Sequence, residues 1–243
     1  MTPSEFQFLG SPHIATMLLT VIIPLALAAL VRKADSPTIT RTVCYLLGAT
    51  LLANEVGHWC YRLFNGEFNL LVKEYLPLHI CGLAVFATAF ALFLRSQTLY
   101  ETAYFWGLVG TFTAIITPEL EVGFPKYRFF QYFIAHSGIV IGVLFATLGL
   151  RMRPTLRSLV RSYLILNVYA VVIAGFNLLL GTNYMFLCAP PDTKFPIFNP
   201  ESPVFVPWPW YIPILDVLTL LLFLIVYSPF FISDWRKRPI AKG

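Results

Sequence analysis

The sequence predicts an all-α membrane protein, a seven-transmembrane helix bundle that forms one domain over residues 1–243. Hydrophobic residues make up 58% of the chain and charged residues only 12%, whereas a soluble domain carries about 25% charged residues. The mean hydropathy is +0.73, and long apolar runs recur along the whole length. These observations leave no room for a separate soluble domain.

Seven apolar segments predict the membrane spans, because each is near the roughly 20 residues that a helix needs to cross a bilayer. In chain order they cover about 13–31, 41–62, 76–95, 99–117, 129–150, 158–181 and 210–232. The long connection 182–209 contains seven prolines, which cannot continue a helix. We therefore expect an irregular cap there, with Trp208 and Trp210 in the aromatic belt of the interface.

The distribution of lysine and arginine predicts the orientation. With the N-terminus outside, twelve basic residues fall inside, namely Arg32, Lys33, Arg41, Arg95, Arg151, Arg153, Arg157, Arg161, Arg236, Lys237, Arg238 and Lys242. Five fall outside, namely Arg62, Lys73, Lys126, Arg128 and Lys194. Because inside loops carry the excess of positive charge, the sequence predicts an outside N-terminus and an inside C-terminus.

Polar residues within the predicted spans converge on the outer half of the bundle. They are Asn54, Glu55, His58, His79, Cys81, His136, Asn177 and Asp216. Ionisable groups in hydrocarbon usually face a bundle interior or a substrate path. The shared depth favours a functional cavity, and a structural hydrogen-bond network is the alternative.

Cys81 and His136 are the candidate catalytic pair. A thiolate is an intrinsically strong nucleophile, and a neighbouring imidazole can take the thiol proton. The alternatives are that Cys81 is a small hydrophobe and that His136 is a core histidine bonded to a carbonyl. Ser137 and Gly138, which follow His136, would allow another helix to approach closely.

Metal and cofactor sites are not expected. His58, His79, His136 and Glu55 have donor atoms, but none of their spacings matches a known metal motif. A retinal Schiff base requires a lysine within a helix, and every lysine falls in a predicted loop or tail. Cys60 and Cys188 could form a disulfide if the outside is oxidising.

Several stretches resemble the YwaF family of bacterial integral membrane proteins. They are Leu76-Pro77-Leu78-His79-Ile80-Cys81, Tyr104-Phe105-Trp106-Gly107, Ala114-Ile115-Ile116-Thr117-Pro118 and 130–138. That family is similar to an animal transmembrane acyltransferase that remodels ether phospholipids with cysteine and histidine, and more distantly to intramembrane threonine–histidine hydrolases. The resemblance implies Cys81 as nucleophile and His136 as base. In the animal relatives a cysteine directly precedes the histidine at the helix entry, whereas here Leu78 precedes His79. Thr113 and Thr117 are therefore alternative nucleophiles.

We therefore expect an intramembrane lipid acyltransferase or lipid hydrolase in a bacterial cell membrane, acting on phospholipids or another acyl-bearing lipid. Asn54, Asn177 or a backbone donor would stabilise the oxyanion, and Glu55 or Asp216 would orient a histidine. His79 and His58 would line the cavity. No nucleic-acid partner is expected. The alternative function is a non-catalytic, outward-facing transporter or small-molecule receptor.

Overall fold

The computed structural model describes residues 5–191 and 196–236, and the regular structure of these residues is helical. One isolated bridge joins Glu5 to Val122. The α-helices are α1 Ser11–Ala34, α2 Pro37–Phe64, α3 Phe68–Leu70, α4 Ile80–Leu94, α5 Gln97–Thr102, α6 Leu108–Ile116, α7 Tyr127–Leu148, α8 Leu156–Leu180 and α9 Tyr211–Arg236. Two π-helical segments cover Leu71–Tyr75 and Ala103–Gly107, and a 3₁₀ turn covers Tyr184–Phe186.

The chain divides into two compact units, unit 1 with residues 1–152 and unit 2 with residues 153–243. Unit 1 contains α1 to α7, and unit 2 contains α8 and α9. The single domain over 1–243 stays a prediction.

Local sequence signals explain where several helices begin and end. The side chain of Ser36 accepts a hydrogen bond from the amide of Ile39, and Pro37 is the first residue of α2, where its missing N–H is harmless. Thr155 and Ser158 form a reciprocal capping box at the start of α8. Gly181 ends α8 in the left-handed region with a φ of 63°, which glycine adopts without steric penalty.

Two of the predicted spans differ from a single straight helix. Only Ile80–Leu94 of the span predicted at 76–95 is α-helical, and a further helical piece, Phe68–Tyr75, precedes it at a bend of 84°. Pro77 lies in the bend, where it cannot donate the hydrogen bond that would continue the helix. The span predicted at 99–117 contains the π segment Ala103–Gly107 between α5 and α6. Such π segments occur frequently at functional sites.

Four helices are long and apolar enough to cross a membrane, namely α1, α7, α8 and α9, and the bent pair is a fifth candidate. The 28-residue α2 is as long but more polar, since it carries Arg41, Glu55 and Arg62. The expectation of an all-helical protein with membrane spans is thereby confirmed. Seven spans and the orientation stay predictions, and four of the counted basic residues (Lys194, Lys237, Arg238 and Lys242) lie outside the described residues.

Helix α7 packs against α1, α2, α4 and α6 in unit 1. Small residues on α7 allow this close packing, as the sequence predicts for 137–138. The Thr20 hydroxyl donates to the Ser137 oxygen at 2.8 Å. A Cβ added to Gly142 would lie 2.5 Å from a methyl carbon of Thr88 on α4. Close contacts with α1 and α4 therefore fix the position of α7 within unit 1.

Candidate functional site

Cys81 is the second residue of α4, directly after the bend that contains Pro77. Its thiol donates to the carbonyl oxygen of Gly110 on α6, with a sulfur–oxygen distance of 3.0 Å. A Cβ added to Gly110 would lie 3.1 Å from this sulfur and 2.8 Å from a methyl carbon of Ile80. The absence of a side chain at Gly110 thus lets α6 approach the thiol.

The first amides of α4 flank Cys81 in the sequence. Within the described residues, the backbone N–H groups of Ile80 and Gly82 have no backbone acceptor, the Cys81 N–H interacts with its own sulfur, and the helix ladder begins with Leu83 donating to His79. The first N–H groups of any helix lack partners within the helix itself. Two such donors, at Ile80 and Gly82, are the sequence neighbours of Cys81 at the start of α4.

His136 lies on α7 and is held through one ring nitrogen. Its Nδ1 lies 2.8 Å from the carbonyl oxygen of Tyr132. A carbonyl can only accept, so Nδ1 carries the proton, and the neutral ring has its lone pair on Nε2. Nε2 has no hydrogen-bond partner in the described part of the chain. This is the tautomer that a general base requires.

The side chain of Tyr132 contacts His136 and connects α7 to α6. Its ring centroid lies 4.3 Å from that of His136, and its hydroxyl donates to the Ala114 carbonyl of α6 at 3.0 Å. The Cys81 sulfur lies within electrostatic range of the same phenol. No hydrogen bond joins Cys81 directly to His136. We call Cys81, Gly110, Tyr132 and His136 the thiol site.

Cys81 and His136 are both half-buried, so each side chain keeps some accessible surface.

A second group of polar residues lies where α2 ends and α7 begins. Asn54 donates its amide to the Gln131 carbonyl at 3.1 Å, and Arg128 donates to the Gln131 side chain. Glu55 and His58 are buried on α2, with exposures of 8% and 2%. Nε2 of His58 lies 3.5 Å from the Arg128 guanidinium.

Two arginines of this group share one aromatic ring. The guanidinium carbons of Arg62 and Arg128 lie 4.2 Å and 5.0 Å from the ring centroid of Tyr75, the last residue of a π segment. The His58 ring meets Tyr75 edge-on at 5.0 Å. We call His58, Arg62, Tyr75 and Arg128 the arginine cluster.

The other predicted site residues are distributed as follows. His79 is the half-buried N-cap residue of α4, two residues before Cys81. Thr117 is exposed at the end of α6, and its hydroxyl donates to the carbonyl of Thr113, which is also exposed. The Thr117 hydroxyl is thus engaged with the α6 backbone, and the two threonines stay predicted alternative nucleophiles.

Asn177 and Asp216 belong to unit 2. Asn177 is buried, donates to the Tyr184 carbonyl and accepts from the amide of Tyr184 and from Thr182. Asp216 accepts a hydrogen bond from the Tyr163 hydroxyl at 2.5 Å. In the structure Asn177 therefore orders the turn that follows α8, and Asp216 links α9 to α8.

Metal and disulfide chemistry have no structural support in the described residues. No group of three histidine, cysteine or acidic side chains among them could hold a metal ion. Cys44, Cys60, Cys81 and Cys188 are all free thiols.

The sequence patterns did not indicate the contacts of Tyr132 and Tyr75, or that Arg62 and Arg128 lie over one ring. One signal was available on α7, since Arg128, Tyr132 and His136 are spaced by four residues and share one helix face. No spacing signal connects Tyr75 to α7, because that contact depends on the bend before α4.

The chain is similar to known proteins over most of its length. The model of the TMEM164 family matches residues 8–227, a range that includes the thiol site, the arginine cluster and most of unit 2. The chain belongs to the TMEM164 family. It is also similar to an uncharacterized protein of Treponema pallidum (strain Nichols), with 28% identity over 160 residues.

That alignment covers 65% of this chain and 63% of the Treponema protein, so the chain matches less than two thirds of the relative's length. No solved structure matches the chain. Membership of the TMEM164 family agrees with the apolar helices in making this a membrane protein. The YwaF resemblance stays a prediction, as does the bacterial cell membrane.

Proposed function

We propose that this TMEM164-family protein transfers acyl groups from membrane lipids, with Cys81 as nucleophile and His136 as general base. The observation that carries the proposal is the state of His136. Its Nδ1 is bonded to the Tyr132 carbonyl, and its basic Nε2 has no described partner on a half-buried side chain. A histidine that served packing alone would have no need of an unbonded ring nitrogen.

The reaction begins with proton transfer from the Cys81 thiol to Nε2 of His136. The sulfur then attacks the carbonyl carbon of a lipid ester and forms a tetrahedral intermediate. The carbon–oxygen bond of the ester breaks, and the imidazolium returns the proton to the departing alcohol. A thioester on Cys81 remains, and a second lipid hydroxyl (for a transferase) or water (for a hydrolase) attacks it by the reverse route.

The start of α4 supplies the oxyanion donors in this proposal. The unbonded amides of Ile80 and Gly82 flank Cys81 in the first turn of α4, and preorganised N–H donors stabilise developing negative charge strongly. Asn54 is engaged with Gln131, which leaves the backbone as the better source.

The thiol in the resting protein is bonded to Gly110 and not to His136. Nucleophile–base hydrogen bonds are often long in unliganded sites and tighten when substrate binds. The proposal therefore requires the Cys81 side chain to rotate away from the Gly110 carbonyl when a lipid enters.

The test uses purified full-length protein and a phospholipid with one labelled acyl chain, offered with a lysolipid acceptor. Wild-type protein should release or transfer the label, and Cys81→Ala and His136→Ala should each lower the rate by at least about a hundredfold. Cys60→Ala is the matched control, since Cys60 is an exposed free thiol outside the site. Full activity in both site variants would falsify the proposal.

A covalent readout separates this function from the rival transporter or receptor. A thiol-reactive or fluorophosphonate probe should label Cys81 in the folded protein, and the acyl-enzyme should be released by hydroxylamine. Solute binding or flux, with labelling of the unfolded protein only, would favour the non-catalytic alternative.

A further inference from the structure

The arginine cluster has unmet hydrogen-bond donors in buried positions. Nδ1 of His58 and Nε of Arg62 are both buried, and neither has a hydrogen-bond partner. Buried polar atoms are nearly always bonded, so each exception needs an explanation such as a missing ligand. His58 is only 2% exposed, which removes bulk water as the partner.

Every unmet group in the arginine cluster is a donor. The Arg128 guanidinium has no lone pair, so it donates to Nε2 of His58, and Nδ1 of His58 then carries the proton. Nε of Arg62 is always protonated. Arg128 uses Nη1 for His58 and Gln131, and its Nε and Nη2 have no described partner. The missing ligand must therefore be an acceptor.

The charges in the arginine cluster indicate that this acceptor is an anion. Arg62 and Arg128 are held over the same Tyr75 ring, where their like charges repel. Glu67 pairs with Arg62. Arg128 has no ion-pair partner among the described residues, and Glu55 interacts with it only through space. Paired guanidiniums present fixed forks that match phosphate oxygens.

The arginine cluster is in register with the thiol site along α7. Arg128 and His136 are eight residues apart, which is roughly 12 Å along a helix axis, with Tyr132 between them on the same face. Both guanidiniums lie at the helix ends, where α2 finishes and α7 starts. In a glycerophospholipid the phosphate lies closer than this to the acyl esters, since only glycerol carbons separate them, so one lipid spans both sites only if the arginine side chains extend towards the thiol site.

We infer that His58, Arg62 and Arg128, on the Tyr75 ring, bind a phosphate group, that of the lipid whose ester reaches Cys81. This inference rests on the proposed function for the identity of the lipid, and on the unmet donors for the phosphate. The cluster fixes the head group, and the acyl ester extends from it along α7 towards the thiol site.

Binding is measured on full-length Cys81→Ala protein, so that no turnover interferes, by calorimetric titration in detergent. The probes are dihexanoyl phosphatidylcholine, dihexanoylglycerol as its phosphate-free analogue, and inorganic phosphate. The phospholipid should bind at least tenfold more tightly than the analogue. Equal affinity for the two lipids would overturn the inference.

Variants then assign the binding to the arginine cluster. Arg128→Gln and Arg62→Gln should each weaken phospholipid binding at least tenfold, and Arg128→Lys should weaken it too, because lysine keeps the charge but loses the fork. Arg153→Gln, at an exposed pair with Asp234 in unit 2, is the control and should bind normally. Normal binding by folded Arg128→Gln and Arg62→Gln would refute the assignment, and thermal unfolding identifies any variant that fails to fold.

The phosphate probe separates the two possible sources of the anion. Displacement of phospholipid by millimolar phosphate, with tighter binding of the lipid, supports a head-group site. Phosphate binding as tight as that of the lipid, and lost in Arg128→Gln, supports a free-phosphate site with the same residues. Phospholipid binding without acyl transfer by wild-type protein would refute the proposed function and leave this inference standing.

Discussion

Two histidines of unit 1 differ in what their second ring nitrogen meets. Nδ1 of His13 accepts from the Leu9 amide, and its Nε2 donates to the Ile115 carbonyl at 2.8 Å. The His13 ring is 1% exposed and fully satisfied. In His136 only Nδ1 is bonded. The same side chain is therefore structural in one case and available for proton transfer in the other.

This contrast gives a prediction at the residue scale. His136→Gln should lower acyl transfer by at least about a hundredfold and change the unfolding temperature little. His13→Ala should instead destabilise the protein by about 1–3 kcal/mol, because it leaves the Leu9 amide and the Ile115 carbonyl without partners. Thermal unfolding and activity per folded molecule measure both effects. The opposite pattern, with catalytic loss in His13→Ala only, would contradict the assignment.

The helices show how far the sequence determines the site. Apolar length alone predicts a helix in each of the seven segments, and each has a helical counterpart in the structure. The identity of Cys81 and His136 as candidates also follows from the sequence, since membrane segments rarely contain such groups. Hydropathy cannot predict the bend at Pro77 or the π segments, because neither feature changes the mean hydropathy of the surrounding residues.

Contacts between elements are the part that the sequence does not specify. Tyr75 meets α7 only because the chain turns by 84° before α4, and the free amides near Cys81 exist only because α4 starts there. From the sequence, Asn177 and Asp216 are expected at the same membrane depth as Cys81 and His136. In the structure their side chains form hydrogen bonds with other residues of unit 2. Equal depth along separate helices does not determine which helix faces meet.

At the scale of elements, the contact between α4 and α6 depends on Gly110. Gly110→Ala should displace the Cys81 sulfur or α6, since the new Cβ would lie 2.8 Å from Ile80 and 3.1 Å from the sulfur. We expect a loss of about 1–3 kcal/mol in stability, typical of overpacking, and at least tenfold lower acyl transfer.

Gly57→Ala is the matched control for this substitution. Gly57 lies within α2, and a Cβ there would meet no atom within 4 Å. Alanine should stabilise the helix by about 0.5–1 kcal/mol and leave acyl transfer unchanged. Thermal unfolding and the transfer assay compare the two variants, and a Gly110→Ala protein as stable and active as wild type would show that the contact has no importance.

At the scale of the whole molecule, orientation decides which membrane leaflet supplies the lipid. The arginine cluster is on the side with fewer basic residues, five against twelve in the predicted arrangement. Two of those five are Arg62 and Arg128, whose guanidiniums lie over the Tyr75 ring. If these two are set aside, the excess of basic residues on the predicted inner side is larger still, which favours an arginine cluster on the outer side.

The orientation predicts the labelling of introduced cysteines in intact cells. Lys126→Cys and Arg157→Cys replace exposed residues at the starts of α7 and α8, in a background with the four native cysteines changed to alanine. A membrane-impermeant maleimide should label the cysteine at 126 in intact cells and that at 157 only after permeabilisation. The reverse pattern would place the N-terminus inside. The thiol site and the arginine cluster, which lie towards the same end of α7 as residue 126, would then draw lipid from the inner leaflet.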